Sequence, residues 1–205
     1  NVTLNAGLAA AATLIAVAFA LSTWDRWLRR RRPHELAWAV SLALFAIGAG
    51  ALWWAESRGW SNESFKVFFL AGAILNVPFL ALGSVYLQFG PRIGQRVQSA
   101  LIALGGFATG VVLVASPKSD ITGRDFPTAK EVFGVAPRVL AAVGSGVPAL
   151  FIFAAAIWSA AQLARKQSPS MNTQVQRTVN SPRRLALGNI LIALGTAILS
   201  ASGSL

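Results

Sequence analysis

The chain has 205 residues, of which 55% are hydrophobic and 12% charged, with a formal net charge of +11 and no cysteine. Soluble domains carry about 25% charged residues, so the composition excludes an ordinary soluble domain and points to the membrane class. The lack of cysteine excludes disulfides, thiol catalysis and thiolate metal sites, and basic residues clumped between long apolar runs, with no recognition motif, argue against nucleic acid as a partner.

A helix needs about 20 apolar residues to cross roughly 30 Å of hydrocarbon. Six uncharged segments meet that requirement: 4–22, 36–55, 67–87, 99–116, 139–162 and 185–203. The expected fold is all-α, a polytopic integral membrane helical bundle forming a single transmembrane domain over residues 1–205. The period-two alternation of a membrane β-barrel is absent. The chain begins at Asn1 rather than methionine, so a preceding segment is expected, and six spans leave a seventh to be expected beyond Leu205.

The first connection, WDRWLRRRRPHE, holds Arg26, Arg29, Arg30, Arg31 and Arg32. At the end of a span these read as a topology anchor or as contacts to anionic lipid headgroups, since each basic residue near an anionic surface contributes about 1 kcal/mol. Pro33 suits the first turn of the next helix because its missing N–H is unneeded there, and a tight turn between antiparallel helices follows. Glu35 complements the start of that helix. His34 with Glu35 lacks the second histidine of an HExxH motif, so no metal site and no cofactor is expected.

The third segment is the least regular. Asn76 and Pro78 place a polar amide and a freed backbone carbonyl near its middle. Gly72, Asn76 and Gly83 share a face, with Ser84 and Tyr86 toward one end. These residues line a cavity or, alternatively, bond a neighbouring helix across glycine-allowed contact. Gly106 and Gly110 form a GxxxG pair in the fourth segment. LIALG occurs at 101–105 and again at 191–195, a coincidence expected of a low-complexity apolar chain.

Residues 117–137 read as an ordered loop or partial interfacial helix. In the fifth segment Gly144, Ser145, Gly146 and Pro148 mark a place where the helix can distort. Residues 164–184 are polar and proline-punctuated, a candidate contact for a protein partner. Asn189, Thr196 and Ser200 then form a polar stripe on the sixth segment.

Alternating connections separate the charge. Twelve lysines and arginines fall in the first, third and fifth connections and six in the others, giving +10 on one side and +1 on the other. The positive-inside rule makes the first side cytoplasmic and both ends of the chain external. All seven tryptophans fall near the expected interfaces, where an apolar ring with one N–H is favoured. Alanine- and arginine-rich usage suggests a bacterial inner membrane.

No span carries a charge, which argues against a proton pump or voltage sensor. The expected function is binding or transport of a small neutral or lipid-like molecule, with Asn76, Ser84, Tyr86, Asn189 and Thr196 lining the cavity and Pro78 and Pro148 allowing distortion. The alternatives are a non-catalytic accessory or assembly subunit, using glycine-rich faces or 164–184, and a lipid-modifying enzyme. No recognised catalytic spacing is present, so enzymatic action is the less expected reading.

Overall fold

The computed structural model describes residues 4–117, 121 and 126–164. It is all-helical over these residues: α1 (Leu4–Arg30), α2 (Pro33–Arg58), α3 (Asn62–Phe68), a π-helical segment (Phe69–Leu75), α4 (Asn76–Val114), α5 (Ala129–Val132) and α6 (Val135–Ala164).

The expectation of six spans with a seventh to follow is corrected by this architecture. Among the described residues, four helices are long and apolar enough to cross a membrane: Leu4–Arg30, Pro33–Arg58, Asn62–Val114 and Val135–Trp158. The expected third and fourth segments fall within one stretch of 53 residues, made of two helices joined across Gly90. The physical reason is local. Arg92, Gln95 and Arg96 read as a polar connection, yet helical bonding resumes directly after Gly90, so these residues are helical too. The segment 185–203 lies outside the described residues.

A straight helix of that length would run about 80 Å at 1.5 Å per residue. The unit instead folds back at Gly90, where φ is 80° and ψ 179°, a conformation essentially reserved for glycine. Pro91 follows and starts the returning limb. The antiparallel pairing of the limbs is fixed at three depths. Tyr86 lies on Gly94 and its hydroxyl donates to Gln98; Leu75 reaches Gly105; and Lys66 Nζ donates to the carbonyl of Leu113 at 3.0 Å.

α1 and α2 form a second antiparallel pair. Only Arg31 and Arg32 separate them, with Arg31 at φ 52° and Pro33 in the first turn of α2, so the expected tight turn is present. α1 buries Ala6, Ala9, Ala16 and Thr23, a largely heptad row of small side chains. Thr13 meets Gly50 across the interface. Lipid tails are as apolar as leucine, so close backbone packing rather than hydrophobic exclusion holds such helices together. The larger side chains of α1, including Leu8, Leu14, Ile15 and Phe19, are left exposed for lipid.

At the other end of α2, Gly59 takes φ 99° and its N–H donates to the carbonyl of Ala55 at 2.7 Å. Ser61 then caps α3: Ser64 N–H donates to Ser61 Oγ and Ser61 N–H to Ser64 Oγ, at 3.2 and 3.0 Å, the reciprocal pairing of a capping box. The expected partial helix in the long connection is α5, where the N–H of Thr128 donates to Glu131 Oε2 at 3.2 Å.

The main core gathers at this end. Ala55, Trp60, Phe65, Phe69, Ile74, Ala108, Val112, Val132 and Phe133 are buried together. Trp60, in the connection between α2 and α3, is 4% exposed and meets Phe65, Phe68 and Phe126 edge-on. Trp24, Trp53, Trp54 and Trp158 are exposed.

Candidate functional site

α2 crosses the central unit along a seam of small and polar residues. A Cβ added to Gly48 would sit 3.2 Å from the Cα and N of Gly72, so the two glycines let the backbones touch. Further along, Ser41 Oγ lies 2.7 Å from Asn76 Oδ1 and 3.0 Å from the Asn76 carbonyl oxygen. Its single proton serves both acceptors, and Ser41 is buried. Trp38 then lies across Gly83, with its Nε1 donating to the carbonyl of Leu80 at 3.3 Å.

The backbone beside this seam is irregular for a reason legible in the residues. Pro78 has no N–H to offer the preceding turn, and the chain adopts π-helical bonding over Phe69–Leu75, with the N–H of Asn76 reaching Ala71. Such π segments are frequent at functional sites. α6, by contrast, is one helix from Val135 to Ala164 with Pro148 inside it.

Of the residues expected to line a cavity, Asn76 is half-buried against Ser41, Ser84 is buried, and Tyr86 is buried across the Gly90 turn. Asn189 and Thr196 lie outside the described residues. Ser41 and Gln98 were not singled out from sequence, and Trp38 only as one of the interfacial tryptophans. The only signals for them were a serine in mid-span, a tryptophan one turn inside a helix start, and a glutamine read as loop.

A distinct groove opens where the end of α4 meets the start of α6. Its volume is about 710 Å³, and Phe107, Gly110, Val114, Ser116, Val135 and Pro137 are among its lining residues. Its walls are almost wholly apolar and it is open rather than enclosed. Neither Asn76, Ser84 nor Tyr86 borders it.

At the opposite end, the arginines divide by partner. Arg29 pairs with Asp25 at 2.9 Å, Arg26 donates to Thr23 Oγ1 at 3.0 Å, and Arg31 lies 4.9 Å over the Trp27 ring. Glu35 is 6% exposed, and its Oε2 has no hydrogen-bond donor. Among the described residues no group of three or more histidine, aspartate or glutamate side chains converges on a point.

The fold and its surface define a multipass helical membrane protein: several apolar helices of membrane length, paired through small residues and exposing leucine, isoleucine and phenylalanine. Comparison with family models, with curated proteins and with solved structures finds no match to the chain.

Proposed function

We propose that this is a binding or carrier protein of a bacterial inner membrane, rather than an enzyme, and that its ligand is a lipid-like molecule. The observation that carries the reading is the apolar, open groove between α4 and α6. A charged or strongly polar solute would lose its hydration there without compensating bonds, whereas an acyl or prenyl chain loses nothing by entering. The π segment and Pro78 supply a deformable element in the same helical unit, which suits a site that must open and close.

The same reading places the arginine-rich end in the cytoplasm against anionic headgroups. Arg26, Arg29, Arg30, Arg31 and Arg32 share that end with Arg92 and Arg96, because the Gly90 turn sits beside the start of α2 through the Ala37, Leu82 and Tyr86 cluster.

A diazirine-bearing fatty alcohol tests the groove. Photolabelling of the purified protein is expected to map to peptides containing Phe107 or Val135. Gly110→Phe, which fills the groove, should reduce labelling about tenfold, equivalent to ~1.4 kcal/mol of binding. Unchanged labelling in that variant sinks the reading.

One observation favours a second reading, an accessory subunit. Gly106 and Gly110 have open space where a Cβ would stand, as a GxxxG face awaiting another helix would. Gly106→Leu would then abolish copurification of a stoichiometric partner while leaving photolabelling intact.

A further inference from the structure

We infer that the first third of α6, residues 135–143, is a lid over the groove, swinging about Gly144 while the inner part of α6 stays fixed. The inference rests on the groove reading proposed above, to which it adds the moving part.

The two parts of α6 are held differently. Val135, Ala136 and Pro137 form one wall of the groove. Of residues 135–143 only Pro137 is buried, and Val135, Val139 and Val143 are exposed. Past the middle of the helix, Ile152 and Ala156 are buried and Phe151 meets Phe89 with ring centroids 6.1 Å apart. The inner part is seated in the bundle, and the outer part only rests against it.

The boundary between them is where the hydrogen-bond ladder is weakest. Pro148 offers no N–H to the carbonyl of Gly144, four residues earlier, and Ser145 Oγ donates to the carbonyl of Ala141 at 2.6 Å, a bond that often bends a helix. Sharp kinks arise at such places. The neighbouring helix has the same deficit at this level. A Cβ added to Gly144 would lie 3.7 Å from the carbonyl oxygen of Ile74, and Ile74 is the residue whose carbonyl Pro78 deprives of its helical N–H. The two proline-weakened turns, one in each helix, thus meet at a single contact. Bending there loses fewer backbone bonds than bending elsewhere, and Gly144 brings no side chain to obstruct it.

A latch holds the position seen. Phe133, just before the lid, is buried against Phe65 and Phe69, with centroids 5.5 and 4.9 Å away. Moving the lid requires these ring contacts to part. A helical stretch of the lid's length is a lever of about 14 Å, so a kink of about 20° carries its tip about 5 Å. That is about half of the 8–10 Å that usually separates packed helix axes, enough to open or shut a groove between two of them.

The test places spin labels on introduced cysteines, since the chain has none of its own. The lid pair is Val139→Cys with Ile102→Cys on the returning limb; the control pair is Ile157→Cys, on the inner part of α6, with Ile102→Cys. All three side chains are exposed. For the intact chain in lipid nanodiscs, pulsed electron resonance is expected to give two distances about 5 Å apart for the lid pair and one for the control. Oleyl alcohol should shift the balance between the two. Pro148→Ala, which restores the missing N–H, should leave a single lid distance, and Phe133→Leu, which keeps the core filled but removes the ring contacts, should populate the unlatched one more than wild type. A single lid distance in wild type and Phe133→Leu alike overturns the lid. So does a second distance in the control pair, which would mean that α6 moves as a whole. Two lid distances persisting unchanged in Pro148→Ala overturn the hinge at Gly144. Two lid distances together with unchanged photolabelling of Gly110→Phe would strike the groove's ligand and leave the motion standing.

Discussion

Three contacts show how much depends on single atoms. A Cβ at Gly83 would meet Trp38 Nε1 at 2.1 Å, and one at Gly94 would meet the Tyr86 ring at 2.2 Å. Gly7, also helical, has nothing within 4 Å. Alanine should therefore have opposite signs at these places. Gly7→Ala is expected to be neutral or to stabilise by about 0.5–1 kcal/mol, the usual entropy difference in a helix. Gly83→Ala should destabilise by about 1–3 kcal/mol, as overpacking does. Thermal unfolding in detergent separates them, and equal shifts would contradict the packing described. At the third contact, Ser41 and Asn76 should show a coupling of about 0.6–2 kcal/mol in a double-mutant cycle with alanine; additive effects would mean the bond does not contribute. Glu35 sets two terms against each other. A carboxylate in the first turn gains about 0.3–1 kcal/mol from the helix dipole, but burying it unpaired costs several kcal/mol. Glu35→Gln should accordingly raise the melting temperature.

At the scale of elements, the Gly90 turn decides how the longest helical unit is arranged. No other residue adopts its backbone without a penalty of about 1–3 kcal/mol, and Tyr86 and Gln98 bridge across it. Gly90→Ala should weaken the pairing of the limbs. Disulfide trapping between cysteines placed at Leu75 and Gly105, which touch in the native fold, is expected to fall in that variant and persist in wild-type background. The position was legible only in part. Glycine followed by proline announces a break, but Arg92, Gln95 and Arg96 suggested a loop where the chain is helical, since polarity records solvent exposure and not backbone conformation. The distortion around Asn76 and Pro78 was legible as a kink. That it takes the form of a π segment upstream of the proline was not.

For the whole molecule, charge and packing agree on two ends. One gathers Arg26 to Arg32, Arg92 and Arg96; the other gathers Arg58, Lys66, Lys130 and their acidic neighbours around the aromatic core. A chain without cysteine permits single-cysteine labelling free of background. Cysteines at Leu28 and Arg96 should react from the same side of sealed vesicles, and those at Ser57 and Lys130 from the opposite side. Reaction of Leu28 and Lys130 from one side would overturn the arrangement.

The linear order of residues by itself determined that this chain is all-helical, lipid-solvated and polar at its ends. Those properties follow from hydropathy and from where arginine and tryptophan stand, each summed over short stretches. The tertiary structure alone decided that the chain doubles back at Gly90, that Asn76 answers Ser41, that Trp60 packs among phenylalanines, and that an apolar groove opens beside Phe107. Each of these depends on which helix faces come together. Among uniformly apolar helices that choice rests on contacts between single glycines and single rings, which no average over sequence can resolve.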